Sequence, residues 1–254
     1  MIRQFQALSK KEFYESAATF RLYILLAVFL LFGMLSPLIA KATPDLLAAI
    51  DTGMVIEMPE PTALDSWTQF FKNVAQMGMI ILVILYSGIM SNEFSKGTLV
   101  NLLTKGLSRS VVILAKFVAA SIVWLASYLI CLGTCWAYTI YFWGSVEISN
   151  AFLTFAAPWL FGEILIALLM LGGTIFSNVY GSLFTCFAAV VVLNAISLIP
   201  KASRYNPASL AGGTLALIAG AGEPSQFIPA MVVGAVLAAG LVVATIEVFK
   251  RKRV

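Results

Sequence analysis

The sequence predicts an all-α membrane protein of six transmembrane helices, and three observations carry that prediction. Apolar residues make up 61% of the 254-residue chain and charged residues 11%, leaving more apolar surface than a soluble domain of this size can hide. The apolar residues gather in six runs near or above the roughly 20 residues a helix needs to cross about 30 Å of hydrocarbon, and far longer than the alternating strands of β-barrels. Cations are distributed unevenly between the connections on alternate sides of these runs. The chain, 1–254, therefore reads as a single transmembrane domain.

The runs are Leu22–Ala40, Val74–Met90, Val111–Phe142, Ala151–Phe176, Ser182–Ile199 and Phe227–Phe249. Ahead of the first, Ile2, Phe5, Leu8 and Phe13 fall within an arc of about 140° at helical spacing, with Arg3, Lys10 and Lys11 elsewhere. That pattern predicts an amphipathic helix on the inner membrane surface, although Glu12 intrudes on its apolar arc. The first run begins after this charged segment and is long enough to persist as a span, so no cleavable signal is expected. The connection 41–73 carries prolines at 44, 59 and 61 and reads as an outer loop, with a short helix expected around Leu46–Ile50. Between the fifth and sixth runs, "SLAGGTLALIAGAG" is apolar but only about half a membrane long, which predicts a short outer helix started by Asn206 and Pro207. In the sixth run, Gly234 with Ala238 and Gly240 with Ala244 offer close packing.

With the N-terminus inside, twelve of the sixteen cations lie on the inner side and four, Lys41, Lys72, Lys201 and Arg204, on the outer. The positive-inside rule thus predicts both termini in the cytoplasm of a bacterial cell, the protein being multi-pass in its cytoplasmic membrane. The net charge of +4 reports this topology and contact with anionic lipid, with no nucleic acid as partner.

Much enzymology is excluded. The chain has no histidine and no G-x-x-x-x-G-K-[ST] loop, so histidine-based catalysis and its own nucleotide hydrolysis are ruled out. No cofactor or metal is expected. Cys131, Cys135 and Cys186 fall inside runs, as packed free thiols. The middle of the runs holds one carboxylate, Glu163, too few for an acidic dyad. Glu163 near mid-membrane must be protonated, paired or facing water, and it is a candidate for the substrate pathway or for a hydrogen bond to a neighbouring helix. Asn194 offers the same choice, interhelical bonding being favoured. Lys116, one turn inside the third run, reads as a side chain snorkelling to the inner headgroups.

One inner connection is unlike the rest. In "SNEFSKGTLVNLLTKGLSRS", Ser91 or Asn92 can cap a helix whose first turn holds Glu93, Gly97 interrupts it, and Leu99, Leu102 and Leu103 follow at helical spacing up to Gly106. Local physics fits a loop resting on the lipid interface or a helix that binds a partner.

This segment, continuing into "ILAKF", resembles the membrane subunits of ABC exporters of the second type, the ABC type-2 permease family. Glu93, Gly97, Thr98, Leu99, Leu102, Leu103, Thr104, Ser108, Arg109, Lys116 and Phe117 carry the resemblance, and the six-span plan extends it over nearly the whole chain. Where the family usually has proline two residues before its Ser-Arg pair, this chain has Gly106. The resemblance implies a permease subunit moving a substrate outward, paired with itself or a second permease and clamped to two ATPase subunits that bind ATP and magnesium. It also implies that the segment, through Glu93, Gly97, Thr98, Leu99, Leu102, Leu103, Ser108 and Arg109, forms a coupling helix docking in a groove of the ATPase. The substrate classes weighed are peptides, drug-like and lipid-linked compounds. The alternatives are a sodium or drug efflux permease and a non-transporting sensor or assembly factor.

Overall fold

The computed structural model describes residues 2–49, 60–95, 97, 104, 106–144, 148, 150–212, 217–218 and 224–252. Among these no strand occurs, and six helical stretches are long and apolar enough to cross a membrane. The first helix described is α1 (Ile2–Ala18), which turns at Thr19 and Phe20, the latter in the left-handed region, into α2 (Arg21–Ala49). The second span is composite: α3 (Ala63–Lys72), a π-helical stretch (Asn73–Gly78) and α4 (Met79–Tyr86), followed by the short α5 (Ser91–Ser95). The remaining spans are α6 (Arg109–Trp143), α7 (Ala151–Phe176), α8 (Val179–Ser197) and α11 (Pro224–Arg251), with α9 (Pro200–Ser203) and α10 (Ser209–Gly212) between the last two.

Two expectations about the 41–73 connection are corrected. Leu46–Ala49 do not form a separate helix. They continue α2, which runs through Pro37 and Pro44, as membrane helices do when neighbours satisfy the freed carbonyls. The second span starts at Ala63, eleven residues earlier than its apolar run, because α3 is amphipathic and turns Trp67, Phe70 and Phe71 into the bundle. Its start is closed by a reciprocal cap in which Asp65 accepts from the Thr62 backbone N–H at 2.8 Å. The π-helical stretch lets Asn73 reach across to Ser36 on α2, its Nδ2 donating at 3.0 Å, while Gln69 donates to Asn73 at 3.2 Å.

The spans are not equivalent. In α7, 72% of the most apolar window is buried within the chain, against 11% in α8, so α7 is a central helix and α8 a peripheral one. Close approaches are made where side chains are smallest. A Cβ on Gly33 of α2 would stand 2.5 Å from the Cys131 carbonyl of α6, and one on Gly162 of α7 would stand 2.4 Å from the Trp124 indole. In the sixth span Gly234 does pack closely, against Leu210 and α7, whereas Gly240 faces open space. Cys131, Cys135 and Cys186 are buried free thiols.

Asn206 and Pro207 do not themselves start a helix: α10 begins at Ser209, and Asn206 instead pins the turn ahead of it. It is 3% exposed; its Oδ1 accepts from the Ala208 N–H at 3.1 Å, and its Nδ2 donates to the Leu193 carbonyl at 2.5 Å and to Ser197 at 2.7 Å. Most of "GGTLALIAGAG" lies outside the described residues.

Candidate functional site

Charge concentrates at the end of the bundle where α1, α5 and the first turns of α6 come together. Lys116, seven residues into α6, is 3% exposed, and its Nζ donates to Glu12 Oε2 at 2.7 Å and to Glu93 Oε1 at 2.8 Å. Lys11 approaches from the rim, 2.7 Å from Glu15 and 3.2 Å from both Glu12 and Glu93. Carboxylate oxygens of Glu12, Glu15 and Glu93 all lie within 4.8 Å of one another, a spacing at which like charges repel strongly. The two ammonium groups meet that repulsion. Burial pulls Lys11 towards its neutral form, but its hydrogen bond to Glu15 and the charges of Glu12, Glu93 and Glu15 outweigh burial and hold its pKa above the ordinary lysine range. Beside the cluster, a cavity of about 20 Å³ is lined by Glu12, Ser16, Arg21, Tyr86 and Lys116, polar enough and just large enough for one water.

Two readings change here. Lys116 does not snorkel: it is enclosed and paired with two carboxylates. Glu12 is no blemish on the apolar face of α1, because that face packs on α6 and Glu12 is the group that meets Lys116. The cluster ties three segments together, namely α1, the end of the second span through Glu93, and α6. A charge this deeply buried is tolerable only with such partners, and removing one leaves the others exposed to the full desolvation cost.

The second assembly lies alongside. Arg109, the first residue of α6, donates to the carbonyls of Phe249 at 2.6 Å, Lys250 at 2.8 Å and Lys252 at 2.7 Å, while its guanidinium stands 5.4 Å from the Phe249 ring. These carbonyls lie at and just past the end of α11, where a helix runs short of backbone donors; that of Phe249 also accepts from the Lys252 N–H at 3.3 Å. Lys252 does the same for α7. Its Nζ donates to the Ile175 carbonyl at 3.0 Å and also to the Thr174 carbonyl and Ser177 Oγ. Ser177 is left-handed, φ 57°, a conformation that favours glycine or asparagine at a helix C-terminus. Phe94 of α5 joins the group, edge-on to Phe249 at 5.9 Å and 4.5 Å from Lys252 Nζ. Burial lowers the pKa of Lys252.

The predicted site residues divide accordingly. Glu93 is 4% exposed in the ion cluster, and Arg109 is in the clasp on α11. Ser91 does not cap α5, since its hydroxyl donates back to the Ser87 carbonyl at 3.3 Å. Gly97 interrupts the helix with φ 64°. Gly106 has φ 78°, which proline cannot adopt, so this turn is built differently from the family's proline form. Ser108 caps α6, its hydroxyl accepting from the Val111 N–H at 3.3 Å. Thr98, Leu99, Leu102 and Leu103 lie outside the described residues. Glu163 is 5% exposed in the middle of α7, where Ser121 Oγ donates to its Oε2 at 2.5 Å and its Oε1 has no protein partner. Asn194 is exposed on α8, and its Nδ2 donates to the Val190 carbonyl of its own helix at 2.8 Å, so the interhelical bond favoured from sequence is not what that donor makes.

Six apolar helices, a buried ion cluster and helix ends clasped by cations define a multi-pass membrane protein whose polar machinery sits at one end. The chain belongs to the ABC-2 family of transporter proteins, whose family model matches residues 6–202. No curated protein matches it. Membership makes the chain a permease of an ABC transporter, with an ABC ATPase as its partner.

Proposed function

We propose that this permease is an exporter subunit, set with both termini in the cytoplasm and α1 on the inner surface, and that segment 91–108 is where its ATPase engages. The observation that best supports this is the anchoring of Glu93. An apolar helix tip that binds a motor transmits force only if its root is fixed, and Glu93 is held by Lys116 to α6 and, through Glu12, to α1. ATP and magnesium belong to the two ATPase subunits, and the weakly buried faces of α2 and α8 are where a second permease, identical or similar, packs. Glu163 and Asn194 are the pathway candidates, Glu163 because a buried carboxylate with one oxygen unpartnered in the protein is costly unless it has a use.

Affinity purification of the permease with its ATPase tests the reading. Replacing Leu102 and Leu103 by Asp should abolish recovery of the ATPase while the six spans still insert, because unpaired charges cannot be buried in an apolar groove. Undiminished recovery of an active complex sinks the coupling role and favours a segment that only rests on the membrane. In the intact complex, Glu163→Gln should leave ATPase binding unchanged and alter transport; normal transport by the amide removes Glu163 from the pathway.

A further inference from the structure

The C-terminal end of the chain makes contacts that the engagement of an ATPase at segment 91–108 does not require. Phe249 to Lys252 touch three other elements at once: α5 through Phe94, the start of α6 through Arg109, and the end of α7 through Lys252. We propose that this end is the transmission element of the permease, and that Arg109 and Lys252 are positioning residues carrying displacement of segment 91–108 into the fourth and sixth spans. The inference rests on the coupling reading above.

The geometry favours transmission over simple capping. Cations at helix ends usually satisfy carbonyls of their own helix or meet solvent. Here each cation caps a helix other than its own: Arg109 of α6 holds α11, and Lys252, just beyond α11, holds α7. The result is a chain of directional bonds, α6 to α11 to α7, with Phe94 of α5 wedged against the middle link. Each bond joins a charge to a helix dipole, so a rotation of one helix end pulls the next. The far link ends on Ser177, whose left-handed backbone gives α7 a defined stop. Because α7 is the most enclosed span, movement delivered to its end is delivered to the centre of the bundle.

The test uses the full-length permease with its ATPase in lipid nanodiscs. An environment-sensitive fluorophore is placed on Phe152→Cys, an exposed residue at the opposite end of α7; the three native cysteines are buried. In the otherwise unsubstituted complex, adding ATP and magnesium should shift the emission, and vanadate should trap the shifted state. Lys252→Ala should lose the shift while ATPase recovery and ATP hydrolysis persist, and Lys252→Arg, which can still bridge two carbonyls, should restore it. Phe94→Leu, which remains apolar and is not expected to affect folding, should weaken the shift, so a folding defect in the alanine variant does not remove the test. A full shift in both Lys252→Ala and Phe94→Leu overturns the inference and leaves these residues as caps. No shift in the unsubstituted complex, or no recovery of the ATPase with it, overturns the coupling reading and the inference with it.

Discussion

The two ends of the bundle are held by different physics. At the end that carries the termini, Lys116, Glu12, Glu93 and Lys11 form a buried ion cluster, and Arg109 and Lys252 clasp helix ends. At the opposite end the contacts are aromatic. Trp67 meets Phe70, Trp136 and Phe155 with ring centroids 5.7, 5.9 and 5.1 Å apart, and Phe71 stacks on Phe155 at 5.7 Å. Ser66 bonds Thr139 at 2.7 Å and Trp143 Nε1 donates to the Pro61 carbonyl at 2.7 Å. Charge enters there at the Asp65 cap of α3 and through Lys41, whose Nζ stands 4.2 Å from the Phe142 ring, and no ion pair is found there among the described residues. Aromatic pairs prefer edge-to-face and offset-stacked arrangements and fill a fixed volume, so they hold a shape. Ionic bonds are directional, costly to break singly and able to re-form with new partners. If segment 91–108 engages the ATPase as proposed, the end that receives it is the one whose bonds can be rearranged, and the aromatic end is the one that holds its shape.

That contrast sets an order of expected effects. Lys116→Met should be the most damaging single change, because it removes the buried cation that lies between Glu12 and Glu93. The loss should be about 3–5 kcal/mol, seen as a large fall in melting temperature in nanodiscs. Lys116→Met at wild-type stability would mean that the cluster is solvated and the two ends do not differ in kind. Trp67→Phe at the opposite end should cost far less, about 1 kcal/mol. It gives up ring area but also removes an indole N–H that has no hydrogen-bond partner in the packed core. It should leave ATPase recovery intact, and loss of the ATPase there would break the contrast.

The sequence disclosed the fold better than the site. The six spans follow from apolar run length, and their number and order stand. The misplaced start of the second span has a clear cause: Asp65, Ser66, Thr68, Gln69 and Lys72 alternate with Trp67, Phe70 and Phe71, and hydropathy averages away an amphipathic entry helix. Glu93, Arg109 and Ser108 were legible because they sit in a motif. The partners of Glu93 were not, since pairing between residues 12, 93 and 116 is a property of tertiary packing. A signal was nonetheless present. Glu12 broke the apolar arc of α1 and Lys116 broke the apolar run of α6, and two misplaced charges of opposite sign are a hint that each is the other's reason. Lys252 carried no such signal, being one of four consecutive basic residues, and the Arg109 bonds run to backbone carbonyls, which sequence does not mark.

The anchoring of the coupling segment through Glu93 and Lys116 is most directly tested by a double-mutant cycle of Glu93→Gln and Lys116→Met, read as unfolding stability of the full-length permease in nanodiscs. If the pair is the anchor, each single change is strongly destabilising and the double change costs less than their sum by on the order of 1–3 kcal/mol. Strict additivity of the two changes would contradict it, leaving Glu93 and Lys116 as neighbours that do not hold one another.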